Sequence, residues 1–108
     1  MRRTIVTLVA CLSMAAGVAL AADAKAGADV FGKSCKMCHG EGGAVPNPGV
    51  AKMFGVPIPL LNSTEAQAMS DADLRKAIME GKGKMPAAKN VTGGSIDDVI
   101  AYVRTLKK

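Results

Sequence analysis

The sequence predicts an all-α domain behind an N-terminal export segment, and three observations lead there. After residue 22 the apolar positions recur at three- and four-residue intervals, the period of a helix face. Two stretches open with Ser-x-x-Asp, the pattern of a helix N-terminus: Ser70–Asp73 and Ser95–Asp98. No run alternates apolar and polar residues in the manner of a strand, and there is no internal repeat.

The leader comes first. Arg2 and Arg3 precede an apolar run from Ile5 to Leu20, and Ala19-Leu20-Ala21 has the A-x-A form of a signal-peptidase site. Two other readings stand beside it. Leu8-Val9-Ala10-Cys11 resembles a lipobox that would leave a lipid-modified Cys11, and an uncut Ile5–Leu20 run could serve as a membrane anchor. That run falls short of the about 20 residues of a spanning helix. The expected division is residues 1–21 as signal peptide and 22–108 as one small domain, with a periplasmic or otherwise exported destination.

The first helix is expected from Ala24 to Met37, with Ala24, Gly27, Ala28, Phe31 and Cys35 on one face. Gly27 on that face weakens the helix by about 1 kcal/mol relative to alanine, and a close helix crossing would account for it. Residues 40–59 are rich in Gly and Pro and read as loop, with short turns at Ala51–Phe54 and, further on, Thr64–Met69. A helix from Ser70 presents Leu74, Ala77 and Ile78 and stops at Gly81. The last helix, opened by Ser95, carries Ile96, Val99, Ile100, Val103 and Leu106, with Lys107 and Lys108 suiting the negative end of its dipole.

Composition narrows the chemistry. Phe31, Phe54 and Tyr102 are the only aromatics and Trp is absent, so a large apolar prosthetic group would supply missing core volume. Loss of Arg2 and Arg3 with the leader reduces Lys+Arg from 14 to 12 against 9 Asp+Glu. So small an excess, with no aromatics interleaved, does not point to nucleic acid.

Cys35-Lys36-Met37-Cys38-His39 carries the chemistry. Two thiols about one helical turn apart can add across both vinyl groups of one porphyrin, and the next residue can bring an imidazole to its iron. A thioredoxin-like centre would need a preceding strand, whereas the approach to Cys35 is rich in Ala, Gly and Lys. A structural zinc site needs four ligands, and the chain beyond the leader offers Cys35, Cys38 and His39. A disulfide would leave His39 unexplained. Covalent attachment of one haem c consumes both thiols and leaves none free in an oxidising compartment. His39, tethered beside Cys38, is the expected proximal iron ligand and the only histidine in the chain.

Gly27-x-x-x-Phe31, Cys35–His39, Gly83-Lys84-Met85-Pro86 and Asp98–Val103 together resemble a class I monohaem cytochrome c of the small bacterial kind. The resemblance implies crossed first and last helices, with Gly27 and Phe31 set against Val99 and Tyr102. It implies Met85 as the distal iron ligand, in a loop shaped by Gly81, Gly83 and Pro86. Met53 is the rival; Met37 lies inside the attachment motif, and Met69 and Met79 are expected to pack in the core. A loop proline carbonyl would orient His39, with Pro48 the candidate and Pro46 the fallback.

His/Met ligation raises the reduction potential and leaves no open coordination position, which favours electron transfer over catalysis. The expected function is a monomeric periplasmic electron carrier with no catalytic residues. An electron-relay subunit of a larger respiratory or dehydrogenase complex is the alternative, and a haem ligand sensor or peroxidase a third reading. Lys33, Lys36, Lys82, Lys84 and Lys89 flank the motif and the methionine loop and would steer acidic redox partners.

Overall fold

A computed structural model describes residues 22–107. The expected leader, the cleavage site and Cys11 lie outside them. The described residues form six α-helices, one 3-10 turn and no strand beyond a single isolated bridge. The helices are α1 (Ala24–Ser34), α2 (Lys36–His39), α3 (Pro48–Phe54), α4 (Thr64–Ala68), α5 (Asp71–Glu80) and α6 (Gly94–Thr105); the 3-10 turn is Glu41–Gly43. Among them, none is long and apolar enough to cross a membrane.

Helix α1 starts where Asp23 stops being helical. The Asp23 carboxylate accepts the backbone N–H groups of Lys25 (2.9 Å) and Ala26 (3.2 Å), satisfying donors that a first turn leaves orphaned. The Asp23 N–H in turn donates to Asp98 Oδ1 at 2.8 Å, joining the start of α1 to α6.

The packing of α1 on α6 is the most extensive between helices, and Gly27 makes it close. A Cβ at position 27 would overlap the Asp98 backbone carbonyl and stand 3.0 Å from Tyr102 Cβ. One turn along, the Phe31 and Tyr102 rings meet at 5.2 Å between centroids, tilted by 54°. That is a favourable edge-inclined aromatic geometry. The expected crossing is present, and the glycine that weakens an isolated helix is what lets two backbones touch.

The core forms from Leu74 and Ile78 of α5, Val91, and Ile96, Val99, Ile100 and Val103 of α6. Val30, Cys35, Leu61, Met69 and Ala88 pack on it from the edge. Met79 departs from expectation. It lies on α5 one position beyond the buried Ile78 and is 54% exposed, so it is not core.

Helix boundaries also differ from the sequence reading, and α3 begins at Pro48, three residues before the expected turn at Ala51–Phe54. The first helix stops at Ser34 because Cys35 leaves the helical region (φ −121°, ψ −30°). The Cys35 N–H still reaches Phe31 O, while its carbonyl accepts both Cys38 N–H (3.2 Å) and His39 N–H (3.0 Å), opening a new turn. The last helix begins at Gly94, one residue before the expected Ser95 cap. Gly93, at φ 58°, turns the chain into it, and Asp98 serves the α1 contact instead. The Ser70 cap is as expected: its hydroxyl accepts Asp73 N–H at 3.0 Å.

Candidate haem site

The attachment residues lie at the end of α1 and in α2. Cys35 and Cys38 are half-buried free thiols, and His39 is buried. Burial, and secondarily the neighbouring Cys38, pushes the Cys35 thiol up to about 11. It is therefore a thiol at neutral pH, and the thiolate that would attack another sulfur is scarce. Burial also lowers the pKa of His39, which favours the neutral imidazole, the form in which histidine binds a metal.

Behind His39 the chain turns sharply. Gly40 has φ 77°, and the following segment folds back so that Asn47 N–H donates to Cys38 O at 3.0 Å. The Asn47 side chain does two further things. Its amide donates to Met37 O at 3.2 Å, and its oxygen caps α3 by accepting Gly49 N–H at 3.0 Å. Lys36 and Glu41 pair at 2.6 Å across this turn, both exposed, and the hydrogen bond and charge of Glu41 raise the Lys36 pKa.

Pro48 stands at the first position of α3, where its carbonyl belongs to the helix ladder. The backbone group beside the His39 ring is that of Pro59, which opposes the effect of burial by favouring the protonated ring. The contact is looser than a full hydrogen bond, since the buried Nδ1 of His39 has no partner in hydrogen-bond geometry. Asn47-Pro48-Gly49, a capping residue followed by proline at the first helical position, is the sequence signal that assigns Pro48 to a helix start. Pro59 carries no such local signal, because its placement depends on tertiary bonds to Leu61.

Those bonds are specific. Leu61 N–H donates to Gly43 O at 3.0 Å, and a Cβ on Gly43 would meet Leu61 Cβ at 2.7 Å. The Pro59–Leu61 segment is thus laid directly on the turn that follows His39.

Met85 occupies a separate, tight loop. Lys82 and Met85 exchange two backbone hydrogen bonds, 3.0 and 2.9 Å, around Gly83 at φ 57°. Gly81, at φ 82°, begins the loop, and a Cβ there would come within 2.5 Å of Met85 O. After Met85 the chain is held to α5 by Ala88 N–H to Ile78 O (2.8 Å) and to α1 by Asn90 Nδ2 to Ser34 Oγ (2.9 Å). Met85 is half-buried, whereas the rival Met53 is 72% exposed. The five flanking lysines are all exposed, Lys36 among them tied to Glu41.

These residues fit a haem. The buried Nδ1 of His39 has no hydrogen-bond partner, and two unpaired thiols stand beside the ring. Val45, Met53, Val56 and Leu60, all in the stretch after His39, expose large apolar side chains of the kind that a flat apolar ring would cover. An open cleft lined by Asn62, Ser63, Thr64, Gln67, Ala68 and Lys107 includes none of these residues.

Comparison with known proteins agrees. Residues 22–103 match the family model described as cytochrome C oxidase, cbb3-type, subunit III. Among solved structures the chain is similar to the KustC0563 c-type cytochrome, at 27% identity and a TM-score of 0.62. That similarity covers 76% of this chain and 98% of the other. No curated protein matches. The chain belongs to the cbb3-type cytochrome c family: it is an electron-transfer haemoprotein with covalently bound haem c in the all-α cytochrome c fold.

Proposed function

We propose that this protein is an exported one-electron carrier whose haem is fixed by thioethers at Cys35 and Cys38, with His39 as proximal and Met85 as distal iron ligand. The observation that carries the reading is the buried imidazole of His39, its Nδ1 without a hydrogen-bond partner, beside two unpaired thiols. The haem supplies the Fe(III)/Fe(II) couple. The chain's part is to hold the ligands. The Cys35 carbonyl binds the His39 N–H and fixes the attachment turn, while the paired Lys82 and Met85 backbones present a thioether from a loop too short to drift. His39 and Met85 would hold the iron between them and leave no position for a substrate, so the bound group would supply electron transfer and not catalysis.

The start of the family match at Ala22, immediately after the expected cleavage site, supports a leader over residues 1–21 and export to the periplasm. The printed family description names an oxidase subunit, which favours a second reading in which this domain relays electrons within a larger complex. The exposed Lys33, Lys82, Lys84 and Lys89 support an acidic redox partner in either case.

The test is a potentiometric titration of the purified, matured protein followed by its visible spectrum. Covalent haem c and a ferric absorption band of iron–thioether bonding are expected. Met85→Ala should keep the haem, lose that band, admit exogenous ligands and lower the potential. A band that survives Met85→Ala would exclude Met85 as the ligand. Co-purification with a membrane oxidase separates relay from free carrier.

A further inference from the structure

The segment that brings the Pro59 backbone beside His39 is tied down two residues further on, at Leu61, by a side chain six residues beyond it. Gln67, half-buried on α4, donates through Nε2 to Leu61 O at 2.8 Å and to Val103 O of α6 at 2.9 Å. Leu61 is thereby gripped at both backbone groups, its N–H by Gly43 O and its carbonyl by Gln67. Gln67 is itself fixed from behind, because Arg104 Nη1 donates to Gln67 O at 3.0 Å. The same guanidinium reaches Met69 O and the Asp71 carboxylate. One carboxamide therefore ties the segment beside His39 to the helix that crosses α1.

We propose that Gln67 is a positioning residue for the iron: by clamping Leu61 O to Val103 O it holds the Pro59 carbonyl against the His39 ring and so sets how strongly that imidazole donates to the metal. This rests on His39 being the proximal ligand. Both donor hydrogens of the one amide nitrogen are committed, one to each carbonyl. A histidine N–H engaged by a carbonyl is a stronger donor to its metal and favours the higher oxidation state. Slackening the clamp weakens that donation and raises the potential.

The experiment uses the haem-loaded, matured protein. Gln67→Met keeps the volume and removes both donors, while Ser70→Ala, which removes the α5 cap, controls for loss of stability alone. At a fixed applied potential, Gln67→Met is expected to lower the Fe(III)/Fe(II) ratio by roughly threefold to tenfold, the larger figure corresponding to about 59 mV upward. Ser70→Ala should leave the ratio unchanged. In the reduced protein, the His39 ring N–H should exchange with solvent faster in Gln67→Met than in either other form. If Gln67→Met does not accumulate with haem, Gln67→Asn, whose amide is one methylene too short to span both carbonyls, should move both readouts in the same direction.

A potential that is unchanged, lowered or shifted equally by Ser70→Ala overturns the assignment. So does unaltered ring N–H exchange. Wild-type protein without covalently bound, histidine-ligated haem overturns the functional reading underneath, and that is visible before any variant is made.

Discussion

The α1–α6 crossing and the loops around the haem site are shaped by different forces. At the crossing, buried surface and close approach do the work: Gly27 admits the Asp98 backbone, and Phe31, 3% exposed, lies against Tyr102. In the loops, almost no large apolar side chain is buried, and shape comes from discrete polar bonds such as Leu61 to Gly43, Asn47 to Cys38 and Met85 to Lys82. Apolar packing tolerates small displacements at modest cost, whereas a hydrogen-bonded loop places one atom and loses that placement when a single bond goes. Stability should therefore reside in the crossing and spectroscopic identity in the loops.

The comparison can be broken most forcefully at Phe31. Phe31→Ala should cost about 3–5 kcal/mol in denaturant unfolding of the haem-loaded protein, the usual range for deleting a buried aromatic. Gly27→Ala comes next. Its methyl would overlap the Asp98 carbonyl, and forcing the helices apart should cost about 1–3 kcal/mol by the same measurement. Gly81→Ala should behave differently, because position 81 requires φ 82° and lies against Met85 O. It is expected to destabilise by only about 1–3 kcal/mol yet displace the methionine loop and abolish the iron–thioether band. Ser70→Ala should cost about 1 kcal/mol with no spectral change. Smallest of all, neutralising the half-buried Arg75–Asp97 pair should change the unfolding free energy by less than about 1 kcal/mol. A Gly81 variant that loses stability and keeps its spectrum would erase the distinction between the two regions.

The same contrast explains what the amino-acid sequence could reveal. The crossing was legible because its residues repeat: Gly27 and Phe31 share one helix face with Ala24 and Ala28, and Ile96, Val99, Ile100 and Val103 share another. Periodicity reports burial directly. The attachment motif was legible because its spacing is itself the chemistry. Pro59 was not, since a carbonyl is present at every residue and the bonds that fix its segment, from Leu61 to Gly43 and to Gln67, are remote in the chain. Pro48, the proline expected to orient His39, stands instead at the start of a helix that Asn47 caps. Met79 has the composition of a core residue on a helix, but α5 turns Leu74 and Ile78 inward and leaves Met79 on the exposed side. Ser95 has the composition of a cap, but Gly93 reaches a backbone conformation that turns the chain one residue earlier.

The amide-to-hydroxyl bond from Asn90 to Ser34 joins the methionine-bearing stretch to the residue just ahead of Cys35. Under the proposed ligation it acts as a leash. If Met85 holds the iron, this bond would keep the loop that carries it beside the attachment helix, so that a released thioether would have a short intramolecular way back and a competing small molecule would face a tethered rival.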